Sequence, residues 1–248
     1  MNYVVFDTET TSLNKPFCYN IGYIIVTEAG AIILRRDYVV EQVWHNLPLF
    51  STAYYAEKRP LYVTAMRSRE TKMEKFGYIC AQMRRDFKVH NVERAFAYNS
   101  SFDEGVFEFN CDWFKCINPF DEITIADIRG FVHKYLVSET FRQFCEDYEL
   151  FTESGNYSTT AETMYKFVSG DLLFEEEHTA LADSLIENRI LRACIQCGAT
   201  LEENPKALMS IPRNVTKTLH IQTAEQVDYY FEYESIRINK EKTEIKMR

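Results

Sequence analysis

The sequence predicts an α/β protein built on one mixed sheet of five strands, followed by a C-terminal extension. Three observations predict it. The first forty residues hold three β-prone apolar runs with no helical segment between them, the pattern of an antiparallel meander. Two further short runs alternate with helical stretches, which is how parallel strands are joined. The last fifty residues change character, with the breaks Asn204-Pro205 and Ile211-Pro212. The chain of 248 residues is long enough for one large domain with its own core, expected over 1–198, and an extension of unknown role over 199–248.

Taken in order, Tyr3 to Phe6, Ile21 to Val26 and Ala31 to Val40 read as strands, with a turn at Glu28-Ala29-Gly30. Thr64 to Arg85 reads as one helix, rich in Ala, Met, Glu, Lys and Arg and free of Pro. Arg94 to Tyr98 is a short buried strand. Ser101-Phe102-Asp103-Glu104 fits a capping box with Ser101 as N-cap and opens a helix to about Phe109. Glu122 to Ile128 is a fifth strand. Thr140 to Tyr148 and Thr159 to Val168 read as helices, and His178 to Ala193 carries Leu181, Leu185, Ile186 and Ile190 at helical spacing. In the extension, Asp228 to Ile238 alternates like a strand, and Lys240 to Arg248 is a basic tail.

Composition narrows the class. Hydrophobic residues make up 46% and charged residues 26%, as in ordinary globular proteins. No apolar run reaches the roughly 20 residues that span a bilayer. Residues 1–7 lack a basic segment and reach an acid at once, unlike a signal peptide. Seven scattered cysteines fit a reducing cytoplasm better than a disulfide framework. The net charge is −9, yet Glu57 to Lys88 holds nine basic residues against four acidic ones. Such a local positive surface suits a phosphate backbone, although a solvated helix face explains it more simply. Of the 16 Tyr and 18 Phe, most are expected in the core, and a few are available to stack on bases.

Candidate chemistry lies in acids. Asp7 and Glu9 are two apart at a strand end, so both face one side. Two like charges behind the apolar Val4-Val5-Phe6 repel unless a cation lies between them, and oxygen ligands suit Mg²⁺ or Mn²⁺. Asp103 in a first helical turn also suits the helix dipole. His178 and Asp183 lie five apart at a helix start. Each alone has a plain structural explanation; their order along the chain does not.

Val5-Phe6-Asp7-Thr8-Glu9-Thr10-Thr11-Ser12-Leu13 resembles the first motif of the DEDDh family of 3′–5′ exonucleases, which includes bacterial proofreading subunits. Ala97-Tyr98-Asn99-Ser100-Ser101-Phe102-Asp103 resembles the second, and His178-Thr179-Ala180-Leu181-Ala182-Asp183 the third, with its H-x4-D spacing. The tyrosine branch of such enzymes carries Tyr where this chain has Thr179, so the histidine branch is favoured. Ser12 stands where the family usually has Gly, Tyr98 where it usually has His, and the gap between the first two motifs is long.

The resemblance implies a ribonuclease H-like fold with helices on both sheet faces. It implies that Asp7, Glu9, Asp103 and Asp183 hold two Mg²⁺ or Mn²⁺ ions and that His178 is the general base. It implies that Thr8, Thr10, Leu13, Asn99 and Phe102 touch the 3′ end of a single strand, DNA favoured over RNA, with little base specificity. The other readings are an RNA-directed 3′–5′ exoribonuclease and, outside enzymes, a nucleic-acid-binding module. A third reading has the extension dock a polymerase or another protein partner. Asp127 is expected to be structural, and Glu175-Glu176-Glu177 a solvated run. A zinc site combining Cys194 and Cys197 with Cys111 and Cys116 is expected to be absent.

Overall fold

The computed structural model describes residues 1–213 and the backbones of four strands beyond them, 216–220, 228–232, 236–239 and 244–247. Strands β1 (Asn2–Thr10), β2 (Cys18–Thr27), β3 (Ile32–Val40), β4 (Lys72–Glu74), β5 (Val92–Ala97) and β6 (Thr124–Asp127) form one sheet in the order β4-β3-β2-β1-β5-β6. The first three run antiparallel to one another, while β5 pairs in parallel with β1 and β6, and β4 in parallel with β3. The mixed sheet is as expected, but it has six strands rather than five.

The sixth strand lies inside the stretch read as one helix. That stretch splits into α3 (Arg59–Ser68), β4 and α4 (Phe76–Val89). Arg69 closes α3 in the left-handed region, at φ 67°, where a helix cannot continue. Lys72, Met73 and Glu74 then pair with Tyr38, Val39 and Val40 of β3. Local composition favours helix there, and edge pairing overrides it. The other helices are α1 (Glu41–Trp44), α2 (Leu47–Phe50), α5 (Ser101–Phe114), α6 (Ile128–Phe131), α7 (Glu139–Asp147), α8 (Ala161–Ser169) and α9 (Ala180–Gln196).

Strand β1 is central, and its alternation sets the two layers. Val4 and Phe6 join the aromatic core with Phe76, Phe107 and Phe120 below α4 and α5. Tyr3, on the opposite face, donates its hydroxyl to Asn188 Oδ1 of α9 at 3.0 Å. Helix α9 therefore covers the other face, against β1 and β2.

Contacts divide the chain into two units, Met1–Asp147 with Thr159–Met209, and Tyr148–Ser158 with Ser210–Arg248. In the second, Tyr157 bridges to Phe151 and Ile211. Strand β7 (Thr216–His220) pairs antiparallel with β8 (Asp228–Glu232), and β9 (Ile236–Asn239) with β10 (Glu244–Met247). Residues 233–235, within the run read as one strand, and 240–243 and 248 of the basic tail lie outside the described residues.

Candidate active site

Strand β1 outruns its neighbour β5. The last β1–β5 pair is Val5 with Phe96, so Phe6 to Thr10 continue along β2 alone. The β1–β2 register shifts between Glu9 and Thr10, an irregularity that bends the strand end. This unpaired stretch lies past the carboxyl end of β5, the side on which ligands usually bind in open α/β sheets. Asp7 and Glu9 stand at this edge.

Asp103 comes from the chain that follows β5. Asn99 turns it in the left-handed region, at φ 61°, a conformation that Asn tolerates. Its N–H donates to Asp127 Oδ1 at 2.9 Å, and Asp127 also accepts from the N–H of Arg129 as the N-cap of α6. Asp127 is thus a structural acid. The N-cap of α5 is Ser100 rather than Ser101, and its hydroxyl donates to Glu104 Oε1 at 2.8 Å. Asp103 is buried in the first turn, where Thr8 donates its hydroxyl to Asp103 Oδ1 at 2.6 Å. Thr8 thereby ties β1 to α5.

Asp183 arrives on α9 through a close approach of backbones. A Cβ on Gly22, the β2 partner of Asp7, would lie 2.1 Å from the Ala180 carbonyl carbon and the Leu181 nitrogen. Only a glycine lets the start of α9 rest there. Buried Asn20 fixes the same helix end by accepting the N–H of Ala180 at 2.9 Å, while Tyr62 donates to it at 3.0 Å. Ser184 donates to the Gly22 carbonyl at 3.1 Å. The result brings carboxylate oxygens of Asp7, Glu9 and Asp183 within 4.8 Å of one another.

His178 precedes the helix instead of opening it, since α9 starts at Ala180 and His178 has φ 51°. Its ring stacks on Tyr55 at 4.4 Å and 13°. Its Nδ1 lies 3.8 Å from Glu176 Oε2, and Glu176, His178 and Asp183 also group within 4.8 Å. Glu176 is half-buried, so the run of three glutamates is not uniformly solvated. Lys58 lies over the Tyr55 ring at 4.4 Å and donates to the Glu177 carbonyl.

Burial and mutual repulsion push these acids upward. Burial chiefly raises Asp183 to about 9, with Glu176 and Glu9 adding to it. Burial raises Glu9 to about 8 against the pull of Lys58, and Glu176 to about 7. Asp103 reaches about 7 through burial, moderated by Thr8. Asp7 is held well above the carboxylate range by burial and then by Asp103. Burial, then Lys58, lowers His178, which favours a neutral imidazole.

The arrangement fits divalent cations. Asp183 Oδ1 and Glu187 Oε2 are buried without a hydrogen-bond partner, a costly state that a cation relieves directly or through water. Glu187, one turn beyond Asp183, is a further buried carboxylate, and its charge acts on Asp7. Glu187, Tyr55 and Asn20 carried no signal in the sequence beyond Glu187's i, i+4 spacing from Asp183, while Lys58 and Glu176 showed only as members of charged runs.

The residues expected at the substrate are spread around this edge. Thr10 donates weakly to the Ser12 carbonyl at 3.5 Å, and Leu13 is 81% exposed. Phe102 packs partly against the core. Thr8 turns its hydroxyl to Asp103 and Asn99 its backbone to Asp127, as above.

No family model and no curated protein matches the chain. Among solved structures, it is similar to the nuclease domain of 3′hExo, a DEDDh family member, bound to rAMP. The TM-score is 0.53 at 14% identity, covering 83% of this chain and 96% of that one. It is also similar to E. coli Exonuclease I in complex with a 5cy-dT13 oligonucleotide, at TM-score 0.50, 15% identity and 79% of this chain against 42% of that one. The chain spans about two fifths of Exonuclease I, 39% in the complex with dA16. The fold is thus the ribonuclease H-like one of DEDDh nuclease domains.

Proposed function

We propose that this chain is a metal-dependent 3′–5′ exonuclease that releases nucleoside 5′-monophosphates from single-stranded DNA. The observation that carries the reading is the convergence of Asp7, Glu9, Asp103 and Asp183 from β1, α5 and α9 beside a half-buried histidine. That is the motif set of the DEDDh resemblance, on the fold of a DEDDh nuclease domain.

These four carboxylates would hold two Mg²⁺ or Mn²⁺ ions, with Glu187 behind them. Bound there, the cations would supply Lewis acidity to a water and to the scissile phosphodiester. The chain's own residues do the rest. His178 Nδ1 or Nε2 accepts the proton of the attacking water, and its lowered basicity leaves it neutral and ready at pH 7. The Tyr55 ring holds the imidazole plane, and Lys58 offers a positive charge to the phosphate. Thr10, Leu13, Asn99 and Phe102 engage the terminal nucleotide by backbone contacts and stacking, which read no sequence.

An RNA-directed reading has one observation in its favour. The similar 3′hExo domain holds rAMP, whereas the similar Exonuclease I holds a deoxyoligonucleotide. Incubating 5′-labelled DNA and RNA of one sequence with Mn²⁺ tests both. The expected result is a ladder shortening from the 3′ end, lost with EDTA and reduced at least about 10³-fold in Asp183→Asn, equivalent to about 4 kcal/mol of transition-state stabilisation. Folded, Mn²⁺-supplied protein that cuts neither strand overturns the proposal.

A further inference from the structure

The seven cysteines are all free, and three of them meet away from the carboxylates. Cys80 lies on α4, Cys111 in the last turn of α5, and Cys116 just beyond it. Lys115 takes the left-handed region at φ 54°, and the Cys116 N–H donates back to the Cys111 carbonyl at 3.0 Å. That turn folds Cys116 under the helix end. The three sulfurs lie within 4.8 Å of one another.

An open pocket of about 470 Å³ reaches this group. Glu108, Cys111, Asp112, Lys115, Cys116 and Asp121 line it. Cys80 and Cys111 are buried, while Cys116 is half-buried on the pocket side. We propose that Cys80, Cys111 and Cys116 form a binding site for a thiophilic cation, Zn²⁺, with the fourth position filled from the pocket by water or a carboxylate. Zinc bonds thiolate sulfur at about 2.3 Å, which sets sulfurs about 3.8 Å apart in a tetrahedron. Sulfurs already within 4.8 Å need to close by no more than about 1 Å. Binding three thiolates releases their protons, and the site then pins the end of α5 to α4. The group is not the combination of Cys194 and Cys197 with Cys111 and Cys116 that the sequence analysis set aside: Cys80 joins Cys111 and Cys116, and Cys194 and Cys197 are not in it. The proposal is independent of the nuclease reading.

The test uses the whole reduced chain titrated with Cd²⁺, whose thiolate complexes absorb in the near ultraviolet by charge transfer and whose carboxylate complexes do not. We expect the band at one equivalent, displaced by Zn²⁺. Cys116→Ser should weaken Cd²⁺ and Zn²⁺ binding at least about 100-fold, beyond the loss typical of an outer-shell partner. Asp183→Asn should leave the band unchanged. If Cys116→Ser fails to fold, the wild-type spectrum decides by itself. Absence of the band in folded wild type overturns the proposal. So does a disulfide between any two of these three cysteines, located by peptide mass mapping of freshly purified chain.

Discussion

Helix α5 has a buried cluster of titratable groups at each end, and the two differ in what it costs to leave them without a cation. Asp103 opens the helix among carboxylates; Cys111 and Cys116 close it, roughly 12 Å further along the axis. Three protonated thiols pack as small apolar groups and cost little. Buried carboxylates repel one another and lack enough donors, so they resist burial until they are protonated or joined by a cation. One end thus tolerates an empty state, and the other stores strain that a ligand relieves. This is the pattern expected where binding, rather than packing, has dictated the residues.

The largest effect should come from removing the close approach that creates the strained end. Gly22→Ala places a Cβ against the backbone of Ala180 and Leu181. Overpacking against backbone should cost more than about 3 kcal/mol. Thermal unfolding should show that loss, and any nuclease activity should fall with the Asp7–Asp183 juxtaposition. A variant of wild-type stability would mean that α9 does not rest on Gly22.

Proton linkage gives the next effect. Asp183, Glu9, Asp103 and Glu176 have folded values raised to about 9, 8, 7 and 7, above their ordinary 3.8 to 4.5. Each raised value contributes stability that is complete below the unfolded value and lost as pH rises through the folded one. Without metal, stability should therefore fall between about pH 4 and pH 9, by at least about 3 kcal/mol or roughly 10 °C in Tm. Saturating Mn²⁺ should recover most of it, and more at high pH, because cation and proton compete for the same oxygens. A metal-free Tm that rises toward pH 9 would contradict the geometry of this end.

The smallest effect concerns the ring behind His178. Tyr55→Leu removes a stacked contact worth about 0.5–1.5 kcal/mol, so stability should fall by about that much and the turnover rate about 3- to 10-fold as the imidazole loses its fixed plane. An unchanged rate would show that the imidazole is held by other contacts.

The sequence by itself determined what short-range periodicity encodes. The i, i+2 spacing set Asp7 and Glu9 on one side of a strand, and alternating strand and helix patterns marked the mixed sheet and most of its helices. Tertiary structure alone decided the rest. β4 interrupts a helical composition because the edge of β3 offers partners that no local signal announces. Thr8 reaches Asp103 across 95 positions, Asn20 reaches the Ala180 N–H across 160, and Cys80 finds Cys111 from another helix. Such contacts depend on how layers stack and how closely backbones pass, as at Gly22. Periodicity says which face a residue shares, and only packing says what that face meets.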